Sequence, residues 1–320
     1  MKIKKIIILL VVLMTATLGR AATSYIESQR PAEPKESPNV EWHWCGDRDR
    51  PLRLTTFTTN PPFGWTEREE NDRLISRGFG IDFVRNLLNE VHIATAAVGF
   101  ASDREAFEAL AMGNADVYVG AYYDPKQRMA GHTYLIPSFF QNMISVIFLK
   151  GREKPITSLN DLIGMKGVVR QDEVFYSYIY AMMPQGVQMD RAFDSREAFT
   201  KLLTGEVDYM LSSPYSAETE ARRFKANQDI QMVQLPIAGQ ELFVIFSGRS
   251  ACPQYRRVLS QLLEKHKPNR EDAVRMLFNY MNDWGRRFRG QPSLKDVLSV
   301  GVRQAPLAET TVQPETTDQE

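Results

Sequence analysis

Residues 104–119 read REAFEALAMGNADVYV, and residues 196–211 read REAFTKLLTGEVDYML. Arg-Glu-Ala-Phe recurs, followed by Leu110 and Leu202, Gly113 and Gly205, and Asp116 and Asp208 at identical offsets 92 residues apart. Each copy carries the same physical grammar. Asp103 and Ser195 stand where a side-chain oxygen can cap the first turn of a helix. Ala106, Phe107 and Leu110 fall on one helical face, as do Ala198, Phe199 and Leu202. Gly113 and Gly205 suit the left-handed position that ends a helix. Short strands are expected next, at Val117–Val119 and Tyr209–Leu211. The alternative is chance similarity between two amphipathic helices. Seven identities at fixed offsets favour two equivalent helix–turn–strand units, one in each of two lobes.

Outward from these units, strand and helix alternate. Strands are expected at Leu52–Thr58, Ala94–Val98, Met143–Leu149, Gly167–Val169, Gln231–Leu235 and Glu241–Phe246. Helices are expected at Ile81–Glu90, Leu159–Leu162, Phe175–Met182, Tyr255–Lys265 and Arg270–Arg287. This is an α/β pattern with parallel or mixed sheets and flanking helices. Met143–Leu149 and Glu241–Phe246 bracket the second unit and read as two crossover strands. The expected division is therefore 45–142 for the first part of lobe 1, 143–240 for lobe 2 and 241–290 for the return to lobe 1. A cleft is expected where the carboxyl ends of the strands converge.

The ends of the chain read differently. Residues 1–21 combine a basic start (Lys2, Lys4, Lys5), the apolar run Ile6–Met14 and a small-residue stretch ending at Ala21, the layout of a secretory signal peptide. The run is much shorter than the ~20 residues a spanning helix needs. No cysteine follows it, so no lipid attachment is expected there, and the mature protein is expected in the periplasm. Residues 22–44 read as a flexible leader and 291–320 as a disordered acidic tail. The 320-residue chain has 39 basic and 39 acidic residues. Loss of residues 1–21 removes four bases and no acid. The resulting mild acidity argues against nucleic acid as a partner. Four scattered histidines and two cysteines show no metal-ligand spacing, so no metal or other cofactor is implied. Export permits a Cys45–Cys252 disulfide; two unpaired buried thiols are the alternative.

Several segments resemble family 3 extracytoplasmic solute-binding proteins, the periplasmic amino-acid receptors of ABC transporters. Pro61-Pro62-Phe63 is similar to the family's Y-x-P-F turn, and Gly78 to Asp82 to its G-F-D-x-D. Gly113 to Asp116 is similar to its G-x-x-D. Asp124 to Arg128 with Tyr134 and Pro137 resembles T-x-x-R followed by F-S-x-P-Y, and Ile156 to Gly164 resembles I-x-S-L-x-D-L-K-G. The resemblance spans about Leu52 to Arg289. It implies a two-lobed type II periplasmic-binding fold that closes on a ligand, a monomer, and an inner-membrane ABC permease as partner.

The resemblance also implies site residues. Arg128, 12 residues after Asp116, stands where the family clamps a ligand carboxylate with a guanidinium fork. Tyr122 and Tyr123 replace small pocket residues and would supply an aromatic wall. Asn60 occupies the position of a stacking aromatic, beside Phe63, with Trp65 as a replacement. Gln171, Asp172 and Glu173 stand at the start of the second-lobe helix that usually receives the carboxylate. Ser213 stands where the family places an ammonium-binding aspartate. The function expected is capture of a small polar, carboxylate-bearing, amino-acid-like solute, without catalysis. Two other readings use the same fold: a sensing module without transport, and a dehydratase of the cyclohexadienyl type with Asp172 or Glu173 as general acid.

Overall fold

The computed structural model describes residues 45–124, 128, 130–171, 176–235, 239–266 and 270–304. The elements, in chain order, are β1 (Leu52–Thr56), β2 (Thr59–Asn60), β3 (Gly64–Arg68), β4 (Leu74–Arg77), α1 (Phe79–Glu90), β5 (Thr95–Ala97), α2 (Asp103–Met112), β6 (Val117–Ala121), β7 (Thr133–Asn142) and β8 (Ser145–Leu149). A 3₁₀ turn at Leu159–Leu162 precedes β9 (Lys166–Arg170), α3 (Tyr176–Met182), β10 (Gln188–Ala192), α4 (Ser195–Thr204), β11 (Tyr209–Ser212) and α5 (Pro214–Arg223). The chain ends through β12 (Ile230–Gln234), β13 (Gln240–Phe246), α6 (Tyr255–His266), α7 (Arg270–Arg287) and α8 (Leu294–Gln304).

The repeated units occupy equivalent places in two sheets, ordered β5-β1-β6-β13-β7 and β10-β9-β11-β8-β12. In each, the strand after the echo lies parallel to an earlier strand of its own sheet: β6 beside β1 and β11 beside β9. The repeated aspartate explains why. Asp116 Oδ2 accepts the Arg53 peptide N–H at 2.9 Å, and Asp208 Oδ2 accepts that of Lys166 at 2.7 Å. Their own N–H groups donate back to the Arg53 and Lys166 carbonyls. A carboxylate one residue before each strand thus fixes the register of its parallel neighbour. Gly113 and Gly205 end their helices at φ 76° and 75°, where a Cβ would be strained.

The caps fall one residue earlier than expected. Ser102 and Asp194 accept the N–H groups of Glu105 and Glu197. Asp103 and Ser195 are released from capping and reach the cleft side instead. Asp103 Oδ1 accepts the Thr58 N–H at 2.7 Å and its hydroxyl at 2.9 Å, while Ser195 Oγ accepts from Arg170 at 3.1 Å.

Strand β13 pairs antiparallel with β6 and β7, and β8 pairs antiparallel with β11 and β12, so both sheets are mixed. The first sheet packs in a core containing Leu54, Phe79, Val119 and Ile245. The second is covered on both faces. Ile147 belongs to one apolar cluster, and its neighbours Val146 and Phe148 to another, the alternation that a strand imposes. A small antiparallel sheet, β2-β3-β4, lies alongside. Gly78, at φ 119°, enters α1 where an added Cβ would meet the Phe63 carbonyl at 2.7 Å.

Two expectations at the ends of the body meet their outcome in the structure. Cys45 and Cys252 form a disulfide with Cα atoms 5.9 Å apart. The disordered tail does not begin at 291: residues 294–304 form α8, and Leu294, 3% exposed, joins a core cluster of the second lobe. The polar 291–320 composition hid this helix, whose apolar residues Leu294, Val297 and Leu298 lie on one face. Residues 1–44 and 305–320 lie outside the described residues.

Candidate functional site

A cavity of about 500 Å³ lies at the carboxyl ends of β1 and β9, the place where open α/β sheets bind ligands. Thr58, Thr59 and Pro61 line it from the first lobe, Arg170 and Ser195 from the second, and Trp284 of α7 from the C-terminal segment. Its size falls within the range of small-molecule sites.

Arg170 ends the buried strand β9 and is itself only 9% exposed. Its guanidinium donates to Ser195 Oγ at 3.1 Å and, across the lobes, to the Thr59 carbonyl at 3.4 Å. Beside it, Glu220 of α5 is 4% exposed. Glu220 Oε1 accepts the Trp284 indole N–H at 2.8 Å, and Oε2 accepts from Arg223 at 3.1 Å. The Arg223 guanidinium lies 4.5 Å from the Phe288 ring centroid, a cation–π contact that keeps its planar face on apolar surface. Arg196 also lines the cavity. Among the described lining residues, three guanidiniums face two carboxylates already engaged: Glu220 as above, and Asp194 by the Glu197 N–H. The guanidinium groups give the lining hydrogen-bond donors of the kind that recognise carboxylates.

Burial raises the pKa of Glu220, and the neighbouring Arg223 and Arg170 only partly offset this. The folded state therefore holds the proton more tightly than the unfolded chain. On this account stability is greatest below the ordinary value of 4.5 and falls as pH rises from there through the folded pKa. Glu220→Gln is expected to flatten that part of the curve. Urea unfolding at a series of pH values checks it; parallel curves for the two proteins would contradict it.

Of the residues expected from sequence, Gln171 lines this cavity. Its peptide N–H is fixed by the Ala192 carbonyl at 2.8 Å. Asn60, Phe63, Tyr122 and Ser213 instead gather, buried, around the crossing strands. Ser213 donates to Asn142 Oδ1 at 2.7 Å, and Asn142 Nδ2 donates to the Tyr122 hydroxyl at 2.6 Å. Asn60 Oδ1 accepts from Ser216 at 3.0 Å, a hydrogen bond between lobes. Phe63 packs against Phe140 and Tyr215. None of the four lines the cavity. Trp65, 2% exposed, is seated edge-to-face on Trp284 at 5.2 Å, so its ring supports the cavity wall from behind. Tyr123 is half-exposed against Tyr134. Arg128 is exposed, with its N–H on the Asp124 carbonyl, and does not line the cavity. Asp172 and Glu173 lie outside the described residues.

Sequence reasoning missed Arg170, Glu220 and Trp284. Arg170 carried one signal, a charge ending the buried run Gly167-Val168-Val169. Among the described residues no helix is long and apolar enough to cross a membrane, and no group of His, Cys, Asp and Glu could hold a metal ion.

No family model matches the chain, and no curated protein is similar to it in sequence. Solved structures are similar in shape. The ligand-binding core of GluR0 in complex with L-glutamate superposes with a TM-score of 0.57 at 14% identity, over 74% of this chain and 99% of that one. An amino-acid ABC transporter substrate-binding protein of Streptococcus pneumoniae, bound to L-arginine, gives 0.53 at 14% identity, over 73% and 94%. The periplasmic VFT2 domain of Bordetella pertussis BvgS gives 0.55 at 12% identity, over 72% and 92%. With two mixed sheets, two crossing segments and a cavity at the strand ends, the chain has the two-lobed fold of type II periplasmic binding proteins.

Proposed function

We propose that this protein captures a small polar, carboxylate-bearing solute, of amino-acid type, between its lobes and releases it unchanged. The observation that carries the reading is the cavity at the strand ends, lined by Arg170, Arg196 and Arg223, where Arg170 of one lobe reaches the Thr59 carbonyl of the other. A guanidinium so placed can take a carboxylate by two parallel charge-assisted hydrogen bonds. The solute then bridges the lobes, and closure follows from its higher affinity for the closed state. L-glutamate and L-arginine are bound by two structures of this shape. The signal-peptide pattern of residues 1–21 supports a periplasmic location. Delivery to an inner-membrane ABC permease is the partnership that fits the similarity to an ABC transporter substrate-binding protein. The similarity to the ligand-binding core of GluR0 favours a second reading, ligand sensing without transport. Gene neighbours encoding a permease and an ATPase support delivery; their absence supports sensing.

A thermal-shift screen of residues 22–320 against amino acids, organic acids, polyamines and sugars tests the reading, because a bound solute raises the melting temperature. Arg170→Ala is expected to weaken the best carboxylate-bearing hit by about 100-fold, roughly 3 kcal/mol. Arg128→Ala run in parallel assigns the anchor. Loss of the shift in that variant alone would move the carboxylate to Arg128 and remove Arg170 from the site.

A further inference from the structure

The C-terminal segment links the lobes a third time. At one end, α7 buries Ala273 and Leu277 in the core of the first lobe, and its Tyr280 hydroxyl donates to Asp82 of α1 at 2.8 Å. Arg287 adds an ion pair with Glu67 of β3 at 2.6 Å. In its last turns, α7 meets α5 of the second lobe. Trp284 donates to Glu220, and Asn282 Oδ1 accepts from Arg222 at 2.9 Å. At the other end, Leu294 of α8 enters a second-lobe core cluster with Phe199 and Phe224, and its N–H donates to the Phe224 carbonyl at 3.0 Å. Lys295 pairs with Asp229 on the surface.

A pair of lobes joined by two crossing segments can rotate about them. A third segment fixed to both lobes changes this. The chain between Arg287 and Leu294 is short, and residues 288, 289 and 291 turn back by hydrogen bonds to 285, 286 and 288. It has little slack to follow a rotation. With α7 seated on the first lobe, opening must therefore lift α8 off the second lobe and part Trp284 from Glu220 and Asn282 from Arg222. The α8 end is the weaker, because it rests on one buried leucine, the partly buried Leu298, one backbone hydrogen bond and an exposed ion pair.

We infer that α7 and α8 form a C-terminal latch that holds the lobes together and supplies, through Trp284, one wall of the interlobe cavity. Release of α8 comes first, and parting of α7 from α5 then lets the cleft open. The consequence for ligand exchange rests on the capture reading; the latch itself does not, and it is tested without ligand.

Spin labels at Met112→Cys in the first lobe and Ile163→Cys in the second, both exposed positions, report the interlobe distance of the disulfide-intact chain. The intact latch is expected to give one narrow distribution. Leu294→Asp is expected to broaden it and lengthen it by ~5 Å or more, the scale of a one-turn displacement between packed elements. Lys295→Glu, which reverses the exposed ion pair and leaves the core untouched, is expected to move it the same way by less. An unchanged distribution in a cooperatively melting Leu294→Asp protein overturns the latch. If that variant does not fold, an unchanged distribution in Lys295→Glu does so. Absence of any hit in the solute screen would remove the capture reading and leave these distances unaffected.

Discussion

Asp116→Ala is expected to destabilise the protein by about 3 kcal/mol, because it strips a buried ion pair of its acceptor. In a domain of this size that lowers the melting temperature by roughly 6–12 °C. The aspartate is 1% exposed. It accepts from the Arg53 backbone and guanidinium, the latter at 2.9 Å, and from the Ser250 hydroxyl at 2.7 Å. All three partners lose their acceptor, and the register of β6 beside β1 loses its pin. Asp208→Ala removes the matching contact of the second lobe, where the Lys166 N–H is the partner and the aspartate is exposed. Water can replace that acceptor, so a loss of about 1 kcal/mol is expected. Differential scanning calorimetry of both variants checks the contrast. Equal losses would mean that the repeated aspartates do not differ in burial.

The second large effect is expected from the disulfide. Cys45 stands before β1 and Cys252 before α6, 207 residues apart in sequence. The Tyr255 hydroxyl donates to the Cys45 carbonyl at 2.5 Å, which further seats the entry of the chain on the first lobe. Loss of a native disulfide typically costs about 2–5 kcal/mol. Cys45→Ala with Cys252→Ala is expected to lose about 3 kcal/mol, and reduction of the parent protein to lose the same. Urea unfolding with and without reductant measures both. A reductant effect that persists in the double variant, or no loss in either, would contradict the bridge.

Much of the fold was legible because its signals are local. Gly113, Gly205, Asp116 and Asp208 each act within a few residues of their own position or on an adjacent strand, so their spacing survives in the sequence. The cap assignments slipped by one residue because Ser102-Asp103 and Asp194-Ser195 each offer two oxygens that can cap, and tertiary contacts with Thr58 and Arg170 decide between them. Strand β7 was missed because Pro137, Ser138 and Gln141 interrupt its apolar run. Strand β10 (QMDRA) lacks a buried face of its own. Helix α5 was missed because PYSAETEARR reads as a polar loop, although Pro214 at its first turn is an ordinary helix opening.

The site was less legible. Arg170, Glu220 and Trp284 lie 50 and 64 residues apart, and no spacing rule brings them together. The resemblance directed attention to Asn60, Phe63, Tyr122 and Ser213, and these do not line the cavity. Their hydroxyl and amide groups satisfy one another through Asn142. Buried polar groups need such partners, so a side chain that a motif assigns to ligand contact can equally be consumed by the scaffold.

Capture between the lobes has a direct signature in amide hydrogen exchange. The measurement is made on residues 22–320, alone and saturated with the compound giving the largest shift in the solute screen. Thr58 and Thr59 of the first lobe and Phe193–Arg196 of the second are expected to gain protection together, since both segments line the same cavity. Protection confined to a single lobe, or gained only at segments away from the cavity, would contradict capture at this site.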